Sequence, residues 1–375
     1  MMNYCFLHSI IWYLYLMMKK FICHTLFLLV FTTALFAQKN KQYKVVGYFS
    51  GDSAMLHTYD VKKLTHLIYG FAHVDNGSFV ITKSKDAPTL LAFKKIKKLH
   101  PGLKTMIALG GWGGCEFCSQ TFNDKELTKK FAASVKNFLN KYQFDGIDLD
   151  WEYPVISGHP GHQNIPEDKE NFTNLVKELR KALGKEKLIT FAAGGFQKFL
   201  DSSIAWHEVE PYLDFVNLMT YDLVHGYSKA TGHHTNLYST KPGEESIDNT
   251  IQFFKKIKFP LKKLMVGAGF YSREFENVEN VNNGLYQPTK FLDFVNYKVA
   301  INKHTAANGY TFYWDNVAKA PYWYNPSKKI FVTGENKKSV QLKCEYIKKH
   351  KLGGFMFWEL PTDSPKGGLY DAISL

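Results

Sequence analysis

The run Phe144-Asp145-Gly146-Ile147-Asp148-Leu149-Asp150-Trp151-Glu152-Tyr153-Pro154 decides how this chain is read. Its apolar and acidic residues alternate with a period of two. Successive side chains of a strand point to opposite faces, so Asp148, Asp150 and Glu152 share one face and Ile147, Leu149 and Trp151 the other. Two carboxylates about 6 Å apart at an effective dielectric of about 20 repel by roughly 2.8 kcal/mol, about two pKa units. Three in a row therefore hold at least one proton near neutral pH. A glutamic acid kept protonated at the carboxyl end of such a strand is suited to general-acid work. A calcium loop of the EF-hand kind would need glycine at its sixth position and polar residues between its ligands; here Ile147, Leu149 and Trp151 intervene. A Mg²⁺ or Mn²⁺ site stays open as an alternative use of the acids.

Short β-branched or apolar runs recur on both sides of this strand. They predict strands over 44–49, 66–71, 104–109, 144–151, 188–193, 215–220, 264–268 and 353–358. Helical spacing of apolar residues fills 87–99, 125–141, 169–183, 246–256 and 339–350 between them. Eight such repeats in one chain point to an α/β TIM (β/α)8 barrel rather than a doubly wound sheet. A barrel needs about 250 residues, and the widest gap falls between the seventh and eighth strands. Its aromatic-rich part (Tyr310, Phe312, Tyr313, Trp314, Tyr322, Trp323, Tyr324) is too long for a plain loop. It is expected to form a small α+β insertion over 272–335, leaving 38–271 and 336–375 for the barrel.

The 375 residues carry 47 Lys+Arg against 34 Asp+Glu, a formal charge of +13, and 45% of them are hydrophobic. Only Arg180 and Arg273 are arginines. A surface that reads phosphates uses arginine's planar fork freely, so the lysine excess argues against a nucleic-acid partner. Lys19 and Lys20 precede the apolar run Phe21 to Phe36, and Ala34-Leu35-Phe36-Ala37 closes it with small residues. This reads as a cleavable secretory signal within a leader over 1–37, with translation starting at Met17 or Met18. The run is short for a membrane span, so a secreted or periplasmic monomer without stable membrane association is expected. Beyond the leader remain Cys115, Cys118 and Cys344. The first two are able to close a small disulfide loop, with Cys344 as a buried thiol. His159-Pro160-Gly161-His162 and His233-His234 lack further ligands at zinc spacing and are read as surface or locally hydrogen-bonded histidines.

Asp145-x-x-Asp148-x-Asp150-x-Glu152 followed by Tyr153-Pro154 resembles the signature of glycoside hydrolase family 18, the chitinases. Ala108-Leu109-Gly110-Gly111 is similar to that family's Ser-x-Gly-Gly strand, with Ala108 in place of serine. Met219-Thr220-Tyr221-Asp222, Thr231-Gly232-His233, Tyr271-Ser272-Arg273 and Gly353-Gly354-Phe355-Met356-Phe357-Trp358 follow in the family's order. The resemblance spans nearly the whole chain beyond the leader. It implies retaining hydrolysis of β-1,4 linkages between N-acetylglucosamine units, with the substrate's own acetamido group as nucleophile and an oxazolinium intermediate. Glu152 would be the acid, Asp150 would accept from the amide N–H, Asp148 would share a proton with Asp150, and Tyr221 would hold the acetyl oxygen. Asp145 would be a structural buttress. Trp358 would floor the pocket and Trp112 would stack the next sugar on the leaving side. Tyr48, Phe71, Met219 and Asp222 would line the pocket. Arg273, one of only two arginines in a lysine-rich chain, is read as a contact to substrate or the acid network because lysine could not substitute there. Non-proline cis bonds are implied near Gly70-Phe71 and Trp358-Glu359. No metal or organic cofactor is implied, and the implied partner is chitin or a chitooligosaccharide.

Two other functions fit parts of the same sequence. An endo-β-N-acetylglucosaminidase acting on N-glycans uses the same chemistry, but the Trp151 to Pro154 continuation and the rim insertion favour a chitinase. A non-catalytic chitin-binding lectin on the same barrel would typically have lost the acid at position 152, which is present.

Overall fold

The computed structural model of the protein describes residues 12, 17–18, 43–81 and 86–375. The leader expected over 1–37, with its apolar run, falls almost wholly outside the described residues. Tyr43–Leu375 is one compact unit. No helix among the described residues is long and apolar enough to cross a membrane.

Eight parallel strands close a barrel: Lys44–Phe49, His66–Asp75, Lys104–Gly110, Gly146–Asp150, Leu188–Gly194, Phe215–Met219, Leu264–Gly269 and Gly354–Trp358, here called the first to eighth barrel strands. Each pairs with its neighbour in this order, and the eighth pairs with the first from Lys44↔Gly354 to Gly47↔Phe357. The expected TIM barrel is therefore the fold. Long helices cover it at Asp86–Leu99, Lys125–Tyr142, Asp168–Leu183, Ile247–Lys256 and Lys337–His350. Their ends are fixed locally. The Asp124 carboxylate accepts from the amides of Glu126 and Leu127, and Asn336 and Ser339 cap one another reciprocally. The helix begun at Asp124 stops at Gln143, whose φ of 62° turns the chain left-handed.

Alternation along the strands builds two separate apolar layers. Ile147, Leu149 and Trp151 join the layer between barrel and helices, where Trp151 meets Phe122 and Phe172. The other faces fill the barrel with Val46, Ile68, Met106, Ala108, Ala192, Phe215, Met265 and Met356. Asp148 and Asp150 project into this second layer and are buried.

The fourth strand is shorter than expected, and Trp151 and Glu152 leave the ladder before a cis Glu152–Tyr153 peptide. The second strand runs on to Asp75 and turns back as Ser78–Val80, a hairpin that the apolar pattern does not signal. Between seventh and eighth strands a five-stranded antiparallel sheet is inserted, in the order Lys290–Asn296, Tyr271–Glu276, Ile330–Thr333, Ala320–Asn325, Thr311–Asp315. Phe275, Leu285, Tyr322, Tyr324 and Phe331 form its own core.

Arg180 ties the helix Asp168–Leu183 to the foot of the barrel. Its Nε and Nη2 donate to the Tyr212 carbonyl at 3.0 and 2.8 Å, Nη1 to the carbonyls of Gly184 and Lys187 at 2.8 and 2.7 Å, and Nη2 to Asp214 at 2.7 Å. Lysine lacks the planar fork that reaches all of these at once. Arg180→Lys is expected to lower unfolding free energy by about 1–3 kcal/mol, read as a lower urea midpoint at unchanged slope.

Candidate active site

The acids sit where the fourth strand leaves the barrel. Asp148 is deepest and is 0% exposed. The Tyr48 hydroxyl donates to its Oδ2 at 2.7 Å, and the Thr190 hydroxyl and Asn217 amide donate to its Oδ1 at 2.5 and 3.0 Å. Burial raises its pKa, and these three donors pull the other way. Ala108 lies opposite Asp148 in strand register and offers no side-chain donor, so the fifth and sixth strands supply that role. Asp150 is nearly as buried, and its Oδ1 has no hydrogen-bond partner among the described residues. Burial, then the charges of Glu152 and Asp148, push its carboxyl well above the ordinary range. Glu152 is half-buried at the mouth. Burial raises it from 4.5 to about 7; a hydrogen bond with the Tyr153 side chain opposes this and the charge of Asp222 adds to it.

Asp222 holds its charge at the same mouth. Burial alone would raise its pKa, yet hydrogen bonds to His234 and Arg273 bring it below the usual carboxylate range. Arg273 reaches it with both prongs, Nε to Oδ1 at 2.8 Å and Nη2 to Oδ2 at 2.6 Å. His234 Nδ1 faces this residue, 3.6 Å from Asp222 Oδ1 and 3.4 Å from the Asp222 amide nitrogen. Two carboxylic acids of unlike charge state thus share one rim: Glu152 protonated to near neutrality and Asp222 ionised. The backbone carries Asp222 at φ 56°.

Aromatic rings floor the space beside the acids. Trp358, half-buried, stacks on Phe71 with ring centres 5.5 Å apart and leans on Tyr48 at 5.6 Å. Peptides Gly70–Phe71 and Trp358–Glu359 are cis, as the resemblance implies, and so is Glu152–Tyr153. Tyr48 is buried beneath Trp358, so it meets the acids through its hydroxyl and presents no face to the cleft. Met219 is likewise buried. The Tyr221 hydroxyl has the Met356 sulfur at 4.0 Å, and burial raises its pKa well above 10. Trp112 is 51% exposed on the rim, edge-on to His159. Asp145 lies at the other end of the strand, accepting from the Thr105 amide at 2.8 Å and paired with Lys97.

Several residues at the site were not singled out from sequence. Thr190 and Asn217 are polar residues inside apolar strand runs, a signal that points inward. Tyr153 packs its ring on Phe196 and Phe199 beside Glu152. His233 and His234 are not surface histidines: both are buried, His233 on Asp315 at 3.0 Å and His234 beside Asp222. The loop that carries them packs into the rim, and no periodicity announces that. Among the described residues no three His, Cys, Asp or Glu side chains are disposed as a metal site requires.

A closed parallel barrel with a graded row of carboxyls at its carboxyl rim and aromatic rings beside them has the layout of a barrel glycosidase. The sequence model of Glycosyl hydrolases family 18 matches residues 44–363, and the chain belongs to that family. Chitinase A1 of Niallia circulans is 31% identical over 88% of this chain, which spans 58% of that relative's length. Chitotriosidase-1 of Mus musculus is 30% identical over 82% of this chain and 69% of its own. A solved family 18 N-acetylglucosaminidase from Paenibacillus barengoltzii superposes with a TM-score of 0.80 at 34% identity, covering 88% of this chain and 98% of that one.

The raised pKa of Glu152 is also a statement about stability. Below 4.5 the acid is protonated folded or unfolded, whereas above about 7 the folded state must bury its charge. Stability associated with the protonated group is therefore lost as pH rises through about 7. Glu152→Gln, neutral throughout, is expected to match the wild-type melting temperature at pH 4.5 and to exceed it at pH 8. Scanning calorimetry at the two pH values reads the difference directly.

Proposed function

We propose that the protein is a secreted chitinase that cleaves β-1,4 linkages between N-acetylglucosamine units with retention, using the substrate's acetamido group as nucleophile. The observation that carries this reading is the graded row itself: a proton held on Glu152 up to about pH 7 beside Asp150, whose buried Oδ1 lacks a partner among the described residues. Family membership supports glycoside chemistry, and the names of two relatives support chitin as the substrate class.

In this mechanism Glu152 donates its proton to the glycosidic oxygen as the bond to the anomeric carbon breaks. The N-acetyl carbonyl oxygen attacks that carbon from the other side and closes the oxazolinium ring. Asp150 Oδ1 accepts from the acetamido N–H, and its charge balances the cation that forms. Asp148 takes up the proton that Asp150 sheds, and Tyr48, Thr190 and Asn217 make its ionised form tolerable when it is not protonated. The Tyr221 hydroxyl donates to the acetyl oxygen. Glu152, now ionised, then accepts a proton from water as it opens the ring, restoring the acid.

Sugar rings have apolar C–H faces that pack on flat aromatics. Trp358 on Phe71 forms the floor for the reacting sugar, and Trp112 stacks the next sugar on the leaving side. Asp222, held by Arg273, keeps a negative charge near Glu152 and so favours its protonated form. The enzyme works as a monomer outside the cytoplasm.

Chitohexaose with product analysis by mass spectrometry tests this reading. Glu152→Gln is expected to fold, to bind the hexamer, and to lose roughly 10²–10⁴-fold in kcat, the range for a general acid. Wild-type turnover in that variant removes the assignment. The acid must be protonated, so kcat should fall as pH rises through about 7. Release of glycans from a high-mannose glycoprotein under the same conditions would instead favour an N-glycan enzyme.

A further inference from the structure

Trp112 stands between two glycine pairs, Gly110-Gly111-Trp112-Gly113-Gly114. The glycines answer to close approaches. A Cβ on Gly110 would lie 2.2 Å from the Asp150 carbonyl oxygen, on Gly111 2.6 Å from the Phe71 ring, and on Gly114 2.0 Å from the Gly110 carbonyl oxygen. Gly110, Gly111 and Gly113 also hold positive φ of 97°, 75° and 85°. The turn thereby fits tightly against the Asp150 backbone and the Phe71 ring. Glycine backbone is the most permissive, so the stiffness of the turn beneath the half-exposed indole has to come from the contacts around it.

The segment from Cys115 to Ser119 supplies that stiffness. Cys115 and Cys118 form a disulfide and are both buried. The Cys115 sulfur packs 3.2 Å from the Cβ position of Gly110. Ser119 donates to Oδ1 of buried Asp168 at 2.8 Å. The other oxygen of Asp168 accepts from the amides of Ile165 at 2.9 Å and Val155 at 3.5 Å, in the loop that begins at Glu152. That same loop brings His159 edge-on to the Trp112 ring at 5.5 Å. His73 Nδ1 also meets the Gly114 carbonyl at 3.1 Å. The turn bearing Trp112 and the loop leaving Glu152 are thus fastened to one carboxylate. A cross-link between cysteines only three positions apart constrains the unfolded chain little. Its effect is on the local geometry of the rim more than on global stability.

We propose that the Cys115–Cys118 disulfide, with Ser119 and Asp168, is a positioning element that fixes Trp112 as a rigid platform for the leaving-side sugar. It sets affinity for that sugar and takes no part in bond cleavage. The proposal rests on the chitinase reading, in which Trp112 stacks that sugar.

A double-mutant cycle on chitotetraose tests it, comparing wild type, Cys115→Ala/Cys118→Ala, Trp112→Ala and the triple variant. Loss of the disulfide is expected to raise KM about tenfold with kcat within about twofold, and Trp112→Ala to do much the same. The triple variant should be no worse than either, because a platform that is absent cannot be misplaced. Unchanged KM without the disulfide, or effects that multiply in the triple variant, overturns the proposal. A melting temperature near that of wild type shows that the variants fold; should the double-alanine chain not fold, Ser119→Ala, which cuts only the tie to Asp168, must raise KM in the same way. Failure of wild type to cleave chitotetraose defeats the proposed function instead, and the same cycle is then read as binding of chitotetraose in the Glu152→Gln background.

Discussion

Asp148 occupies a place in the barrel that water does not reach, and its hydrogen bonds decide how the rest of the rim is arranged. A buried carboxylate is tolerated only when its lone pairs are met. Tyr48 from the first strand, Thr190 from the fifth and Asn217 from the sixth converge to meet them. Three strands are thereby tied to one side chain across the barrel. Asp150, one pleat higher, has no comparable set of donors among the described residues. Its charge is disfavoured both by burial and by the acids on either side. Moving outward along the strand, the groups pass from satisfied to unsatisfied to partly solvated. That gradient follows from pleat spacing and barrel closure.

The two arginines express the same logic at opposite ends of the barrel. Arg180 gathers carbonyls and one carboxylate at the foot, and Arg273 clasps Asp222 at the rim. Both sites need a planar, permanently charged fork. A chain that otherwise carries its positive charge on lysine keeps arginine at these positions, where a point charge on a flexible stem cannot make the contacts. The charge that organises the molecule is local and paired; the net excess has no such role.

The barrel was legible because buried parallel strands read as near-continuous apolar runs, and the row at 148, 150 and 152 was legible because a period of two survives into the structure. The boundaries moved where other bonds took over. The second strand extends to pair with Ser78–Val80, and the fourth stops where the chain turns out toward Tyr153. Asp148's partners were readable in principle, since Thr190 and Asn217 are single polar residues on the inward phase of apolar strands. His234 was not, because an irregular loop twelve residues beyond Asp222 folds back onto it. Tyr48 was read as lining the pocket, but its ring lies under Trp358 and its hydroxyl turns to Asp148, a detail that depends on how rings stack.

Beneath the acids the barrel is filled by Met106, Met265 and Met356 with Met219 at the top, flexible side chains that conform to irregular space. This filling keeps water from the lower side of Asp148 and Asp150. Desolvation is the first cause of every raised pKa in the row. Apolar packing and acid strength are therefore one variable. Better packing below raises the proton affinity above, which suits a general acid, and by linkage it makes the folded state less favourable at neutral pH. The site is held at that disadvantage by the outer apolar layer between strands and helices, to which Ile147, Leu149 and Trp151 of the same strand contribute. One alternating segment thus supplies the acids on one face and, on the other, part of the packing that keeps them buried.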